Sequence, residues 1–479
     1  MQKGKEVNVN FREGFRKLCE AEQKYDFFAS LYEGIPLWLY GRDRALNIVS
    51  GITSYEGQSI SSQKINLFNL IGRIFYFLVN FYKLFDNDII IFTNERHLEK
   101  DINTSKYYNP FVEMVLEANK KPKRSLIFEF PIPMTTKYKK IGYDRYLTID
   151  LLLFLRQLFY PFSLLHYNKI KKEFEPKLRS SGLFKESEIK EILRRCYRSA
   201  YSIKCYGAFL KFIKFLNPKA KLIYSCMGGF DKFPGVIEIQ PALIIDSQSV
   251  YMYPQTPQII NYLKSKKMIV FSQQTKDLLI KNGYIGDNLA VAYNPKIKYY
   301  FLKNIKEDFF QKKDFNNKIV IVGNWGGSLQ KIIKKVVLDI ENNKEKFKNW
   351  EISMVLHPTE KNIYKNLNLT KIKVYENHQV SLWGMLSEAV CTINIASTVL
   401  EESAYFGCFN IILKDEKFDD QSDFIKALCQ GYPFKTIVEP EKFVDWFSKN
   451  NERIKEHILQ KKEIMQKNYE YFLNNNKRI

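Results

Sequence analysis

The chain has no Cys-x-x-Cys pair and no close histidine cluster. Its seven cysteines, Cys19, Cys196, Cys205, Cys226, Cys391, Cys408 and Cys429, are scattered, which excludes a zinc ribbon and a disulfide scaffold and fits a reducing cytoplasm. The start, Met-Gln-Lys-Gly-Lys-Glu, has no apolar signal core, so secretion is not expected. Nor is there an uninterrupted membrane span. The stretch 65–85 contains Asn66, Asn69, Arg73, Asn80 and Lys83, and 146–165 contains Asp150, Arg156, Gln157 and Pro161. A charge near the middle of a span costs about 2.5–3.5 kcal/mol, so both stretches read as helices that are buried or lie in an interface. There is no internal repeat, no low-complexity segment beyond a Lys/Asn bias, no dinucleotide fingerprint, no P-loop and no carboxylate motif for a metal. No metal and no tightly held cofactor are therefore expected.

What is present is a folded composition: 479 residues, 45% hydrophobic and 15% aromatic, enough for two or three domains with their own cores. The 74 Lys and Arg against 52 Asp and Glu give a formal net charge of +22. The excess is spread along the chain, as plain compositional bias would also spread it. As a functional feature it attracts anionic partners: a membrane surface, a nucleotide or an acidic polymer. No recognition motif points to a specific nucleic acid.

The segment 11–32 has a helical pattern, followed by Gly34-Ile-Pro-Leu-Trp38 as a turn into another helix. Short apolar strand candidates then alternate with helical patterns: 88–93, 124–130, a long helix over 186–217, and strands at 220–224, 235–239, 267–271 and 289–292. Such alternation predicts a largely parallel sheet. The Lys- and Phe-rich segment after Pro295 has little period, and a fresh strand begins at Lys318. The expected organisation is therefore an amino-terminal α/β domain with a helical extension over 1–295, a linker over 296–317, and a nucleotide-binding Rossmann-like domain with carboxyl-terminal helices over 318–479. Two such domains facing one another across a cleft is the economical architecture.

Two strings in the last third concentrate the chemistry. The strand candidate 350–356 runs into His357-Pro358, where proline stops the strand and leaves the histidine on a loop. The candidate 392–396 runs into Ser397-Thr398-Val-Leu-Glu401, in which Thr398 and Glu401 have capping-box spacing. A helix start at the carboxyl edge of a parallel sheet suits a phosphate, and a nearby histidine adds a hydrogen bond or a proton. Taken singly, Ser397-Thr398 is an ordinary cap and His357 a loop histidine; together, at strand ends of one α/β domain, they suggest an anion site. Gly323-Asn-Trp-Gly326-Gly327 follows the strand at 318–322. It is a tight turn, or a place where backbone approaches a bound phosphate.

His357-Pro358 and Ser397-Thr398 resemble the His-Pro and Ser-Ser/Thr motifs of bacterial transferases that use CMP-activated sugars, the sialyltransferases and Kdo transferases. The run Glu401-Glu402-Ser-Ala-Tyr-Phe-Gly407 is similar to the helix that follows in those proteins. Upstream, Gly34–Trp38 with Arg42 and Arg44, Ser105–Tyr108, Gly283-Tyr284 and Asn294-Pro295 resemble capsule and O-antigen biosynthesis proteins. Their Glu-x-Gln-His-Gly, followed by a His and a Tyr, corresponds to Glu238-Ile-Gln240-Pro241-Ala242, then Gln248 and Tyr251, so that two imidazoles are replaced. The resemblance implies a surface-polysaccharide glycosyltransferase of GT-B fold, acting in the cytoplasm or at the inner face of the membrane, with a nucleotide sugar as co-substrate and a glycan or glycolipid as acceptor.

On that reading His357, Pro358, Ser397, Thr398, Glu401 and the glycines 323, 326 and 327 surround the nucleotide phosphate, and preset donors stabilise the leaving group. An acceptor hydroxyl needs a base from the first domain. Glu238 is the first candidate, with Asp231 and Glu95 behind it. Two rival readings are a teichoic-acid-type transferase moving a polyol phosphate from a CDP-linked donor, and a non-catalytic glycan- or partner-binding protein, which the changes at Pro241, Ala242 and Gln248 keep open. A basic nucleic-acid binder ranks third among the classes.

Overall fold

The computed structural model describes residues 11–50, 67–94, 98–100, 106–120, 124–130, 141–225, 229–240, 244, 251–306, 309–312, 317–324, 327–357, 360, 364, 367–376, 379–395, 397–416, 421, 425, 428–429 and 432–474. The chain separates into two compact units, residues 1–293 with 478–479, and residues 294–477.

The first unit opens with α1 (Phe11–Lys24) and α2 (Leu39–Val49). The helical pattern expected to run to residue 32 stops eight residues earlier. Leu31–Tyr32 pairs antiparallel with Ile35–Pro36 instead, around Glu33 and Gly34, both at positive φ (51° and 78°). That pair of left-handed residues is what a tight hairpin turn needs. Next come α3 (Leu67–Val79), α4 (Pro110–Ala118), α5 (Asp150–Leu158), α6 (Tyr167–Ser181), α7 (Glu186–Leu216), α8 (Pro257–Lys264) and α9 (Gln273–Lys281).

Between the helices lie seven strands of one sheet: β1 (Ile89–Asn94), β2 (Ser125–Phe130), β3 (Tyr146–Thr148), β4 (Lys221–Tyr224), β5 (Val236–Ile239), β6 (Lys267–Val270) and β7 (Leu289–Val291). Their order is 3-2-1-4-5-6-7 with every pairing parallel, the doubly wound arrangement. Apolar runs make the central strands: Ile90, Phe92, Leu126 and Phe128 are buried, and Phe92 stacks on Phe128 at 5.4 Å between ring centroids.

The second unit begins at Asn294, whose side chain accepts from the Lys296 amide to cap α10 (Pro295–Asn304). This is where a linker was expected. The segment is instead a packed helix, because Phe301 is fully buried with its ring 5.0 Å from Phe406 and 5.4 Å from Phe472, and Tyr300 stacks on Trp383 at 4.4 Å. A four-residue turn, α11 (Phe309–Lys312), follows. Then come β8 (Lys318–Val322), α12 (Gly327–Asn342), β9 (Glu351–Val355), β10 (Ile372–Tyr375), α13 (Leu382–Glu388), β11 (Cys391–Asn394), α14 (Val399–Tyr405), β12 (Phe409–Leu413), β13 (Lys435–Val438) and the long α15 (Phe443–Asn474). The sheet order is 10-9-8-11-12-13, again wholly parallel. Renumbered from its first strand this is 3-2-1-4-5-6, so both units are Rossmann-like, and the first carries extra amino-terminal helices.

Within the two large sheets, the strands that sequence reasoning did not find are β3, β10 and β13, each at a sheet edge. Edge strands are covered on fewer sides and carry polar residues. In β10 only Ile372 is buried, and in β13 only Val438, so neither presents an apolar run.

Candidate functional site

In a doubly wound sheet the chain leaves the two central strands in opposite directions, and the loops at their carboxyl ends part to form the ligand crevice. In the second unit those strands are β8 and β11. The loop after β8 carries Gly323 and Asn324; the loop after β11 carries Ile395, Ser397 and Thr398; and His357 follows β9, which pairs with β8. The fold thus brings His357, Gly323, Ser397 and Thr398 to one sheet edge, and Gly327 opens α12 from the same edge. Pro358, Gly326 and Ala396 lie outside the described residues.

The loops after β8 and β9 are joined by a residue that sequence reasoning missed, Glu360. Its carboxylate is fully buried and Oε2 accepts from the His357 amide at 2.8 Å, while the Glu360 amide donates to the His357 carbonyl at 2.8 Å. Burial raises its pKa, opposed by the hydrogen bonds from the His357 and Asn324 amides. Gly323 faces this carboxylate: a Cβ there would sit 1.8 Å from Glu360 Oε2 and 2.5 Å from the His357 nitrogen. The close approach that requires glycine at 323 is therefore to Glu360. A signal was available, since His357-Pro-Thr-Glu360 places proline one residue and glutamate three residues after a capping position, which is the glutamate half of a capping box.

Around this core, buried polar atoms are left unpaired among the described residues: Asn324 Oδ1, Glu360 Oε1, and both side-chain atoms Oδ1 and Nδ2 of Asn394, the last residue of β11. Asn324, Glu360 and Asn394 are 1%, 0% and 0% exposed. Buried polar atoms are nearly always hydrogen-bonded, and four orphans at the carboxyl ends of three adjacent strands mark this edge as one built to receive a polar group. His357 is half-buried, and desolvation lowers its pKa, which holds the imidazole neutral at neutral pH, able to donate one N–H and accept at the other nitrogen.

The capping box expected at Thr398 does not form. Thr398 already has helical backbone angles and makes no side-chain cap; Ser397 Oγ accepts from the Val399 amide at 3.3 Å instead. Glu401 is drawn away to the side chain of Asn294. Glu401 and Glu402 are half-buried side by side. Burial, with mutual repulsion, pushes Glu401 up to about 8, and burial opposed by Lys296 pushes Glu402 up to about 7. At two turns, α14 contributes little dipole.

In the first unit, Glu238 and Asp231 are both buried and ion-paired. Glu238 lies within β5, 1% exposed, accepting from Tyr251 Oη at 2.8 Å and Lys266 Nζ at 3.0 Å. Asp231, also 1% exposed, accepts from the Gly229 amide at 2.8 Å and pairs with Lys232 at 3.0 Å. Burial raises the Asp231 pKa, but Lys232 and Lys266 more than offset it and the net shift is downward. Lys266 Nζ also donates to the Asp231 carbonyl. Among the described residues both carboxylates lie inside one ion-paired cluster. Glu95, Pro241, Ala242 and Gln248 lie outside the described residues. Among the described residues no group of His, Cys, Asp and Glu is arranged to hold a metal ion.

No protein-family model matches the chain, and no curated protein matches it. Solved structures do align with it. A UDP-GlcNAc 2-epimerase from Neisseria meningitidis bound to UDP-GlcNAc has a TM-score of 0.46 at 13% identity, covering 79% of this chain and 93% of its own. An α,α-trehalose 6-phosphate synthase from Burkholderia multivorans has a TM-score of 0.45 at 10% identity, covering 81% and 95%. WaaG, a glycosyltransferase involved in lipopolysaccharide biosynthesis, has a TM-score of 0.40 at 10% identity, covering 81% and 96%. Likeness at this level assigns no activity; the two Rossmann-like units stand on the strand orders themselves.

Proposed function

We propose that the protein is a glycosyltransferase of GT-B type that binds a nucleotide-activated sugar, a CMP sugar on the motif resemblance, at the carboxyl edge of the second unit's sheet. The acceptor on this reading is a bacterial surface glycan or glycolipid, and sialic acid or Kdo is the transferred sugar. The observation that carries the proposal is the gathering of His357, Ser397 and the unpaired polar atoms of Asn324, Asn394 and Glu360 at the strand ends flanking the switch point.

In the reaction an acceptor hydroxyl oxygen attacks the anomeric carbon, and the bond from that carbon to the donor phosphate oxygen breaks. The nucleotide leaves with the bonding electrons, and the hydroxyl proton passes to a base. His357, neutral in its half-buried position, donates its N–H to the phosphate oxygen on which charge grows. Ser397 and Thr398 offer hydroxyls from the other side of the switch point. Glu360 acts through His357 by fixing the loop that carries it, so it is a positioning residue. Glu238, the first candidate for the base, is buried and bonded to Tyr251 and Lys266, and the E238Q variant tests it.

The test is calorimetric titration of CMP, CDP, UDP and GDP into the wild-type chain and H357A, with donor hydrolysis and product mass measured in parallel. CMP should bind most tightly, and at a hundredfold excess over Kd raise stability by about 2.7 kcal/mol. H357A should cut both hydrolysis and transfer sharply. Binding of none of the four nucleotides, or unchanged turnover in H357A with a CMP sugar, overturns the proposal. A product heavier by a polyol phosphate would assign the chain to the CDP-dependent alternative.

A further inference from the structure

Among the described residues, the first unit carries an apolar surface that is left exposed. Phe75, Leu78, Leu158, Phe162, Leu165 and Phe215 are 66%, 56%, 58%, 56%, 76% and 81% exposed. They come from α3, from α5 and the turn after it, and from the carboxyl-terminal end of α7. These elements are neighbours, since α3 packs on α5, and α5 and its turn pack on α7. Ring contacts join the edges: Phe77 to Phe81 at 6.2 Å, Phe81 to Phe85 at 5.8 Å and Phe81 to Phe212 at 6.5 Å between centroids. Monomeric soluble proteins rarely expose an apolar surface assembled from this many large side chains.

The exposed charge on the same segments is positive; Asp150 of α5 is fully buried, and Lys211 of α7 is paired with Glu33. Residues 67–85, 151–172 and 192–230 contain fourteen Lys and Arg and no Asp or Glu. Lys169, Lys204 and Lys219 are exposed. The nearest exposed acids in sequence, Asp86 and Asp88, are paired with Arg124. An apolar face rich in phenylalanine and rimmed by lysine fits the interface of an anionic bilayer, where side chains enter the acyl boundary and lysines meet headgroups. A second copy of the same face would bring like charges together. Among the described residues no helix is long and apolar enough to cross a membrane, so the geometry is that of a surface lying on the bilayer.

We propose that α3, α5 with its following turn, and the end of α7 form a docking face for an anionic phospholipid bilayer. The inference is independent of the transfer reaction, and its test contains no nucleotide. The full chain is floated with phosphatidylcholine vesicles and with vesicles containing phosphatidylglycerol, beside the variants F75Q/L165Q/F215Q and K204Q/K219Q. The wild-type chain should bind the phosphatidylglycerol vesicles, and each variant should lose at least about tenfold in partition while keeping its circular dichroism and melting temperature. Added salt should weaken the wild-type chain and affect K204Q/K219Q less.

Three results would overturn the proposal. The first is a wild-type chain that stays with the protein-only fraction, and the second is a folded F75Q/L165Q/F215Q that binds as wild type. The third is a wild-type dimer in vesicle-free solution that the same variant converts to monomer, which would make the face an interface between copies. If the apolar variant does not fold, the charge variant and the salt dependence decide, and the absence of either effect counts against the bilayer.

Discussion

Replacing Gly323 with alanine tests whether the two loops of the candidate site are held as one unit. The added Cβ would lie 1.8 Å from Glu360 Oε2, 2.9 Å from Cδ and 2.5 Å from the His357 nitrogen. The His357 amide is fixed at the end of β9, so the carboxylate has to give way, and with it go the hydrogen bonds from His357 and Asn324. Hydrogen bonds to a charged acceptor are worth about 1.5–3 kcal/mol each. With part of that recovered by water, G323A should cost roughly 3–5 kcal/mol in urea unfolding followed by tryptophan fluorescence. E360A removes the same bonds without a clash, and should cost about 2–4 kcal/mol because two amides lose their acceptor. The double variant should fall short of the sum by about 2 kcal/mol, since the bonds can be lost only once. It should remain somewhat less stable than E360A, because the contact with the His357 nitrogen persists. A cycle that is additive within about 0.5 kcal/mol would refute the coupling, as would a G323A protein as stable as wild type.

Three further variants test the remaining assignments of carboxylates. Glu401 and Glu402 titrate near 8 and 7 in the native chain, above the unfolded carboxyl value of about 4.3, so the native state holds more protons between those values and stability falls as pH rises through that range. The variant E401Q/E402Q should therefore match wild type near about pH 4 and exceed it by about 1–2 kcal/mol near about pH 9, a figure well below the full shifts because both groups are partly solvated. Differential scanning fluorimetry across pH reads this, and parallel profiles would refute it. E238A should destabilise the first unit by about 3–5 kcal/mol by leaving Lys266 buried without its partner. Turnover per folded molecule, counted by nucleotide-binding stoichiometry, should stay within about twofold of wild type in E238Q; a large drop in kcat with folding intact would return Glu238 to catalysis.

The pattern of what could be read from the sequence follows burial. Central strands such as β1, β8 and β12 are runs of Ile, Val and Phe flanked by turn residues, and their alternation with helices gave the parallel α/β class directly. Of the edge strands, β10 and β13 carry half-polar residues and escaped, while the three-residue β3 escaped although its residues are buried. The segment after Pro295 looked like a linker because its apolar residues follow no simple period. Yet Phe301 and Ile297 are enough to seat α10, and the side-chain cap at Asn294 was legible before proline. At the site, strand-end placement is a property of topology and could be argued from the chain alone. Which hydroxyl caps α14 depends on a backbone angle at Thr398, and which carboxylate fills the hollow at Gly323 depends on a loop closing back on itself. Neither is a matter of residue type.

The buried cluster of the first unit changes what its resemblance can mean. Of the residues that carry it, Trp38 donates to Glu22 at 2.6 Å, Arg42 forms a fully buried pair with Glu22 at 2.6 Å and donates to the Met252 carbonyl, and Arg44 pairs with Glu191 at 2.8 Å. Tyr251 and Glu238 are bonded to one another. These contacts tie α1 and α2 to the sheet and to the segment after β5. Replacing a member of the Arg42–Glu22 or Lys266–Glu238 pair strands a charge in a dry interior, which costs several kcal/mol, so a fold that uses these pairs has to keep them whatever reaction it performs; Arg44 and Glu191 are partly exposed. Shared residues at these positions report a shared way of attaching the helical extension. A structural role in the cluster is thus sufficient reason for Glu238 and Tyr251 to be kept, whether or not the imidazoles replaced at Pro241 and Gln248 are present. The strand order of the first unit reverses between β1 and β4, so their carboxyl ends are where a doubly wound sheet offers a ligand crevice.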